Sequence, residues 1–443
     1  MKLKLIQPKM NLRPMDTLLK THMSPPLGIY TIANIVNEFC QVDVINENIE
    51  EINFDAKCDL VGISVTVDTF PRAIEIYKQY KKRGITVVLG GIHITVNYEK
   101  YIDEFECLCI GFAEDTWPNI IQDFKLSQLK DIYISNLKCG KELSSPAYNL
   151  IKEKQYLYTN IISTSRGCPF KCSFCYNSSN KIPYVNREIF KVIEEIKSLK
   201  TNHILFIDDN FIGNPIWTEL FLKELLKLKI KWSAAVTVNL LENLQLLDLI
   251  KESGCKSLFI GFETLNDLNM KNVNKNHNNI NKYENLIKEI HNRDIMINAS
   301  LVFGLDNDSK DVFDKTLQWV IKNKIETVTS HILTPYPGTK IYNQLIEENR
   351  IIEKDYSKYN TANVVFIPKQ ISVADLYNGY IKFYKDVYST KNILKRLPTS
   401  KKQWIPFLLF NFLYRKHGKK TEFLCKIIGF NIIGKLSKFL SYK

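Results

Sequence analysis

The sequence predicts an α/β fold made of two successive parallel β/α units followed by a helical, basic C-terminal extension. Three observations lead to this prediction. Short β-branched runs alternate with amphipathic stretches over most of the chain. One polar, irregular stretch interrupts this alternation, and 443 residues are too many for a single ordinary core. The third observation is a strongly basic composition that is confined to the last part of the chain.

In the first part, continuous apolar strands alternate with helices, as in a parallel sheet covered on both faces. The predicted strands are Leu3–Gln7, Val42–Asn46, Asp59–Val65, Thr86–Leu89 and Cys107–Ile110. The predicted helices cover 28–39, 71–83, 98–105 and 114–124. Five such units match a doubly wound, flavodoxin-like sheet over residues 1–135, and residues 136–156 are interpreted as a linker.

Small and polar residues follow three neighbouring strands of this sheet. They are Ser64, Thr66, Gly90, Gly91, His93, Gly111 and Glu114. Ligands of doubly wound sheets bind at the carboxyl ends of the strands, and small residues there let a large flat ligand approach the backbone. Ordinary strand-to-helix turns also favour Gly and Ser, so composition alone leaves both interpretations open.

A second strand–helix series is predicted over residues 157–385. Its strands are Tyr158–Ser163, His203–Ile207, Lys231–Val236, Ser257–Ile260, Met296–Val302 and Thr327–Leu333. Helical stretches such as 187–199 and 281–292 separate them. The extension then covers residues 386–443.

Cys168, Cys172 and Cys175 lie in one loop at spacings of four and three positions. A [4Fe–4S] cluster normally takes four cysteines, so three would leave one iron open for a substrate or cofactor. A zinc site would need a second ligand pair, and none follows. Polar residues and Gly167 and Pro169 around the cysteines disfavour a buried core.

This Cys-x3-Cys-x2-Cys loop, with Phe174 before its third cysteine, resembles that of the radical S-adenosylmethionine (SAM) superfamily. The resemblance implies a [4Fe–4S] cluster that binds SAM at its open iron and yields a 5′-deoxyadenosyl radical. It also implies that the second series folds as a partial (β/α)6 barrel of the triosephosphate-isomerase type, with its chemistry at the carboxyl ends of the strands.

The same resemblance assigns further residues to SAM. They are Phe174, Asp208, Asp209, Glu263, Phe303, Gly304 and Pro337, all in the cluster loop or after barrel strands. The aspartates would face the SAM ammonium, Glu263 the ribose and Gly304 the adenine. Each carboxylate could instead cap a helix, and only the ordered series at successive strand ends favours the SAM role.

The first part resembles the cobalamin-binding domain that precedes many radical SAM domains, through Pro25–Gly28, Asp59–Ser64, Val88–His93 and Gly111–Glu114. Two departures stand out. The Asp-x-His-x-x-Gly signature of a lower-axial histidine is absent, so cobalt would lack that ligand and His93 would line or cap a loop. The turn Gly-Phe-Ala-Glu replaces the common Gly-Glu-Gly-Glu, which could weaken cobalamin binding.

The concentration of basic residues in the tail argues against interpreting the whole protein as a nucleic-acid-binding protein. The chain has 60 basic and 47 acidic residues, and residues 391–443 hold 13 basic and one acidic. The rest therefore has 47 basic and 46 acidic residues, a net +1, and no nucleic-acid partner is expected. Apolar residues among the tail lysines suit either an amphipathic helix at an anionic membrane or helices packed on the barrel.

The sequence thus predicts a radical SAM enzyme that uses cobalamin to methylate or rearrange an unactivated carbon of a small-molecule or lipid substrate. A flavodoxin- or ferredoxin-type protein would supply the electron. The alternatives are a radical SAM enzyme whose front domain does not use cobalamin, and a non-catalytic iron–sulfur electron carrier. Reduced cysteines, no signal-peptide core and no long apolar run predict a cytoplasmic protein, with peripheral membrane contact through the tail left open.

Overall fold

The computed structural model describes residues 1–179, 181–275 and 278–441. The strands are β1 Lys2–Gln7, β2 Gln41–Asn46, β3 Leu60–Ser64, β4 Thr86–Gly90, β5 Leu108–Ile110, β6 Ile132–Ile134, β7 Ile161–Ile162, β8 Ser165–Arg166, β9 Val185–Asn186, β10 His203–Phe206, β11 Lys231–Thr237, β12 Cys255–Glu263, β13 Met296–Phe303 and β14 Thr327–Ile332. The α-helices are α1 Leu27–Val36, α2 Phe70–Lys81, α3 Ile92–Asn97, α4 Ala113–Lys125, α5 Ile189–Ser198, α6 Pro215–Leu226, α7 Leu244–Glu252, α8 Asp267–Asn272, α9 Tyr283–Asn292, α10 Val312–Lys322, α11 Lys340–Glu347, α12 Val373–Val387, α13 Thr390–Lys395, α14 Trp404–Leu408, α15 Gly418–Ile428 and α16 Phe430–Ser441.

The first sheet has the strand order β2-β1-β3-β4-β5-β6, with every neighbouring pair parallel. The strand order reverses between β1 and β3, which makes the sheet doubly wound as the sequence predicts. Its strands are buried on both faces, because helices cover each side. The carboxyl ends of β1, β3, β4 and β5 therefore form the crevice where ligands of such sheets bind.

Two elements of this domain differ from the prediction. The prediction of a helix over 98–105 is wrong. The α-helix in this region is α3, which covers Ile92–Asn97 and begins directly after β4. Gly91, at φ 97°, turns the chain from the strand into the helix, and the His93 amide donates to the Val65 carbonyl. The β-branched run within α3 has low helix propensity, so burial rather than local preference sets this helix. The edge strand β6 was not predicted.

The second sheet has the order β14-β13-β12-β11-β10-β7 and is parallel throughout, which confirms the open six-stranded barrel. Its core is continuous and dominated by large side chains such as Trp232, Phe206 and Phe262. Strand β7 is shorter than predicted, and the chain forms the small antiparallel hairpin β8–β9 beside it.

The two domains that contain these sheets contact each other through α3 and the loop after β14. The Asn97 side-chain amide donates to the Pro337 carbonyl at 3.1 Å. Gly338, at φ 87°, lies so close to α3 that a Cβ there would be 2.4 Å from Val96 Cγ1. The boundaries at 135, 156 and 385 remain predictions.

The tail packs on the amino-terminal ends of the barrel strands. Arg396 is fully buried and donates to the carbonyls of Ile325 and Glu326 at the start of β14. It also donates to the Asn411 side chain, which in turn donates to the Glu326 carbonyl. Within the described residues, none of the helices combines the length and hydrophobicity that a bilayer-spanning segment requires.

Candidate functional site

The cysteine loop leaves the barrel from the hairpin β8–β9. Gly167, at φ 72°, begins the loop, and a Cβ there would be 2.7 Å from the Pro183 carbonyl oxygen. Only glycine tolerates both this conformation and this close approach. The far side of the loop is tied to the segment after α8, because the Ser173 amide donates to the Val273 carbonyl. The loop is therefore held at both ends.

The three thiols lie close enough to influence one another and are free of disulfide bonds. Burial raises the pKa of Cys168 to about 11 and that of Cys175 to about 12, and it also raises the pKa of Cys172. Thiols of this kind are neutral until a metal displaces their protons. The donor set, three sulfurs in one fixed loop, suits an iron–sulfur cluster with one open iron.

The described residues contain no group of three side chains gathered as for a single metal ion. In a [4Fe–4S] cube each cysteine binds a different iron, so the three sulfurs surround the cube instead of converging on one point.

Asp208 and Asp209 have different surroundings although they are adjacent. Asp208 is buried, and its Oδ1 accepts from the amides and hydroxyls of Thr164 and Ser165 at 2.5–3.0 Å. It thereby fixes the turn that leads into the cysteine loop. Asp209 faces the cavity beside the cysteines, and its Oδ2 accepts from the Asn177 amide at 2.8 Å.

Glu263 also faces this cavity, in an unusual backbone conformation. It ends β12 at φ 63°, where the pairing of β12 with β13 shifts register. Its Oε1 accepts from the buried Lys275 ammonium at 2.6 Å, and the Ser300 hydroxyl donates to its Oε2 at 3.3 Å. Lys275 and Ser300 were not predicted as site residues.

The cavity beside the cysteines has a volume of about 600 Å³. Predicted residues Phe174, Cys175, Asp209 and Glu263 line it. Its remaining lining includes residues that the sequence reasoning missed, namely Arg166, Tyr176, Asn177, Ser300, His331, Tyr336 and Thr361. The rings of Tyr176 and Tyr336 stack at a centroid distance of 4.8 Å, so part of the wall is flat and aromatic.

A second cavity, of about 340 Å³, lies in the crevice of the first sheet. Predicted residues Ser64, Gly90, Gly91, Gly111 and Glu114 line it, together with Gly28 and Gly62. A Cβ on Gly28 would meet no atom within 4 Å, so the missing side chain leaves open space at the cavity mouth. A chain of glycines along one wall fits a large ligand that approaches the backbone, as cobalamin would.

The two cavities adjoin, because four side chains line both. They are Ile92, Phe112, Arg166 and Ile182. Phe112 is one of the two residues at which this turn departs from the commoner sequence, and it lies at the boundary between the cavities. Arg166 Nη2 lies 3.9 Å from Glu114 Oε1, so a residue next to the cysteine loop pairs with one from the first sheet.

The other predicted residues lie behind the cavity walls. His93 is buried, and the hydroxyls of Tyr101 and Tyr176 occupy both of its ring nitrogens. Neither ring nitrogen is therefore available to coordinate cobalt. The remaining residues are Thr66, bonded to Asp68; Phe303, packed in the barrel core; Gly304, whose amide donates to Asp308; and Pro337, bonded to Asn97.

Three histidines make the fold sensitive to acid. Burial lowers the pKa of His93, His203 and His331 to about 3, whereas a histidine in the unfolded chain titrates near 6.5. The unfolded chain therefore binds protons that the folded chain rejects, and stability falls as the pH drops below about 6.5. At pH 5 each histidine should lower the free energy of unfolding by about 2 kcal/mol.

Urea unfolding of wild type and His331→Gln at pH 7.5 and pH 5 tests this expectation. The loss of stability on acidification should be smaller in the variant by about 2 kcal/mol. Equal losses in the two proteins would contradict it.

Three segments of the chain match known families. Residues 22–121 match the B12 binding domain, residues 162–320 the Radical SAM superfamily, and residues 339–411 a domain of unknown function (DUF4070). The chain is 29% identical over 416 residues to the bacteriochlorophyllide d C-12(1)-methyltransferase of Chlorobaculum tepidum, and the match covers 90% of each.

Two solved structures share the fold. The radical SAM methyltransferase TsrM of Kitasatospora setae, with cobalamin and a [4Fe-4S] cluster bound, matches with a TM-score of 0.61 and 14% identity over 78% of each chain. The cobalamin-dependent radical SAM enzyme OxsB, with aqua-cobalamin bound, matches with a TM-score of 0.66 and 14% identity over 100% of this chain and 73% of that one.

Proposed function

We propose that this chain, a cobalamin-dependent radical SAM enzyme with an N-terminal B12-binding domain, transfers a methyl group to an unactivated carbon of a flat, largely apolar small molecule. Its cofactors are a [4Fe–4S] cluster, SAM and cobalamin. One observation carries the proposal: the cavity of the first sheet and the cavity beside the cysteines adjoin and share four lining residues. A methyl donor in one would therefore meet a radical generated in the other.

The roles of the individual side chains are part of the proposal. Cys168, Cys172 and Cys175 would hold the cluster, and Asp209 and Glu263 would bind polar groups of SAM in the cavity beside it. Lys275 would hold the Glu263 side chain in place, since its ammonium contacts that carboxylate. Asp208 would act indirectly, because its hydrogen bonds fix the turn before the cysteine loop.

The cofactors supply the chemistry, which is radical formation from SAM and methyl transfer from cobalamin. The protein would bind both in the two adjoining cavities, where aliphatic and aromatic side chains would limit their contact with water. The wall beside the cysteines combines aliphatic and aromatic side chains with the polar groups of Asp209, Glu263 and His331, and homolytic chemistry needs no acid–base pair among them.

We propose a tetrapyrrole as the substrate class. The stacked pair Tyr176–Tyr336 and the apolar side chains of Phe112, Ile182 and Val302 suit a flat macrocycle. The relative from Chlorobaculum tepidum, which is similar over 90% of this chain, is named for a bacteriochlorophyllide.

Two partners complete the proposal. A flavodoxin- or ferredoxin-type donor would deliver the electron that SAM cleavage needs. The basic tail would bring the enzyme to a membrane surface, since cations and exposed apolar residues occur together in it.

The test is an anaerobic reaction of the reconstituted protein with SAM carrying a deuterated methyl group, a low-potential reductant and a chlorophyllide. We expect a product that has gained one labelled methyl group, together with 5′-deoxyadenosine and S-adenosylhomocysteine. A reaction that forms 5′-deoxyadenosine and labelled methionine but places no labelled methyl group on the chlorophyllide would reject methyl transfer. Turnover of a non-cyclic lipid in place of the chlorophyllide would reject the substrate class.

A further inference from the structure

The last two helices, α15 and α16, form a hairpin whose inner face is fixed on the loop before α1 and on the segment that leads into β7. Phe430 stacks on His22 at a ring distance of 3.9 Å, and Cys425 is buried beside Leu19. The backbone at Gly434 lies so close to the segment before β7 that a Cβ there would be 1.9 Å from the Leu157 carbonyl oxygen. The hairpin therefore has a defined orientation, with one face that cannot turn away from the protein.

The opposite face of the hairpin is apolar and exposed. Phe423 and Ile427 on α15 are each 67% exposed, while Ile432 and Leu436 on α16 are 53% and 51% exposed. Leu424, Ile428 and Leu440 are also exposed. Exposed large side chains that occur singly are ordinary, but seven of them on two neighbouring helices mark a surface that binds something.

Lysines border this apolar face. The segment 418–441 contains five lysines and one acidic residue, Glu422. Lys426 forms a salt bridge of 2.8 Å with this carboxylate. Lys419, Lys420 and Lys435 are exposed, whereas the Lys438 ammonium points inward and donates to Asn160. The outer face thus combines aliphatic and aromatic side chains with a net positive charge.

We infer that this face, formed by the outer sides of α15 and α16, docks on an anionic lipid bilayer. Apolar side chains that enter the headgroup boundary and cations that remain among anionic headgroups are the two halves of interfacial binding. A second copy of the chain suits the face poorly, since a symmetric pair would bring two tails with 13 basic residues and one acidic residue each against each other. The inference deepens the proposed membrane contact, and it does not depend on methyl transfer.

Co-sedimentation of the full chain with vesicles tests the inference. We expect binding to vesicles that contain phosphatidylglycerol, little binding to phosphatidylcholine alone, and weaker binding as the salt concentration rises. The double variant Phe423→Ser/Ile427→Ser should bind about tenfold more weakly or worse. Lys419→Gln/Lys420→Gln should also weaken binding about tenfold and flatten the salt dependence.

Matched controls lie on the outer helices of the barrel. Phe190→Ser/Ile216→Ser removes two apolar side chains of similar exposure, and Lys223→Gln/Lys227→Gln removes two exposed lysines. Both controls should bind like wild type. SAM cleavage, measured in parallel without vesicles, should be unchanged in all four variants, which separates this test from that of the proposed function.

Two results would overturn the inference. One is vesicle binding that does not depend on the hairpin: wild-type protein stays in the supernatant with both kinds of vesicle, or the hairpin variants bind as well as wild type does. The other is a wild-type dimer in light scattering that Phe423→Ser/Ile427→Ser converts to monomer, because the face would then be an interface between two copies.

Discussion

Replacing Cys172 by alanine will reduce formation of 5′-deoxyadenosine from SAM to the level seen without enzyme. A cube held by two cysteines loses a third of its protein ligands and, with them, the defined open iron on which SAM must bind. The loop itself should survive the substitution, because Gly167 and the Ser173–Val273 hydrogen bond fix it from outside the cysteine side chains.

The measurement is 5′-deoxyadenosine by mass spectrometry after anaerobic reconstitution, with iron content and the low-temperature EPR spectrum recorded on the same sample. Cys139→Ala serves as the control, since Cys139 is free and exposed and lies outside the loop. It should keep wild-type iron and activity. Undiminished 5′-deoxyadenosine from Cys172→Ala would exclude a three-cysteine cluster as the source of the reaction.

Replacing Gly28 by phenylalanine will reduce the retention of cobalamin at least about tenfold and, with it, methyl transfer. Gly28 lies at the mouth of the first-sheet cavity, where an added side chain meets open space and not protein. A phenyl ring there should occupy the space that the ligand needs without disturbing the fold. The cysteine loop is unaffected, so cleavage of SAM should persist with much less methylated product.

Gly28→Ala is the matched control for this prediction. Its single methyl group leaves the cavity open, and alanine in place of glycine in a helix should stabilise the fold by about 0.5–1 kcal/mol. The readout is the corrinoid absorbance that survives gel filtration, which we expect to fall at least about tenfold in Gly28→Phe and to stay constant in Gly28→Ala. Equal cobalamin content in the two variants would place the ligand elsewhere.

Much of the architecture could be predicted, because the pattern of apolar runs fixes where parallel strands lie and their carboxyl ends meet on one side. Most of the predicted strands agree with the structure to within one or two residues. The helix α3 escaped prediction because its sequence Ile-His-Ile-Thr-Val-Asn favours a strand locally, and only Gly91 and the tertiary packing make it helical.

The parts of the site that belong to a local sequence motif could be predicted, whereas contacts between distant segments of the chain could not. The pair Asp208–Asp209 reads as one unit in the sequence, yet one carboxylate holds a turn and the other faces the cavity. Lys275 contacts Glu263 from the segment after α8, so no motif spacing in the sequence predicts this contact. Ser300 and His331 carried a weak signal, since each is a polar residue in the second half of a barrel strand.

The position of the tail at the amino-terminal end of the barrel has a consequence for how substrate reaches the enzyme. The cysteine loop lies at the other end of the strands, and the nine residues of β12 alone span roughly 30 Å. An enzyme seated on lipid by its hairpin would hold its reaction chamber well above the headgroups. A pigment dissolved among acyl chains would have to leave the bilayer before it is modified, which favours a substrate with enough polarity to cross that aqueous gap or a carrier that hands it over.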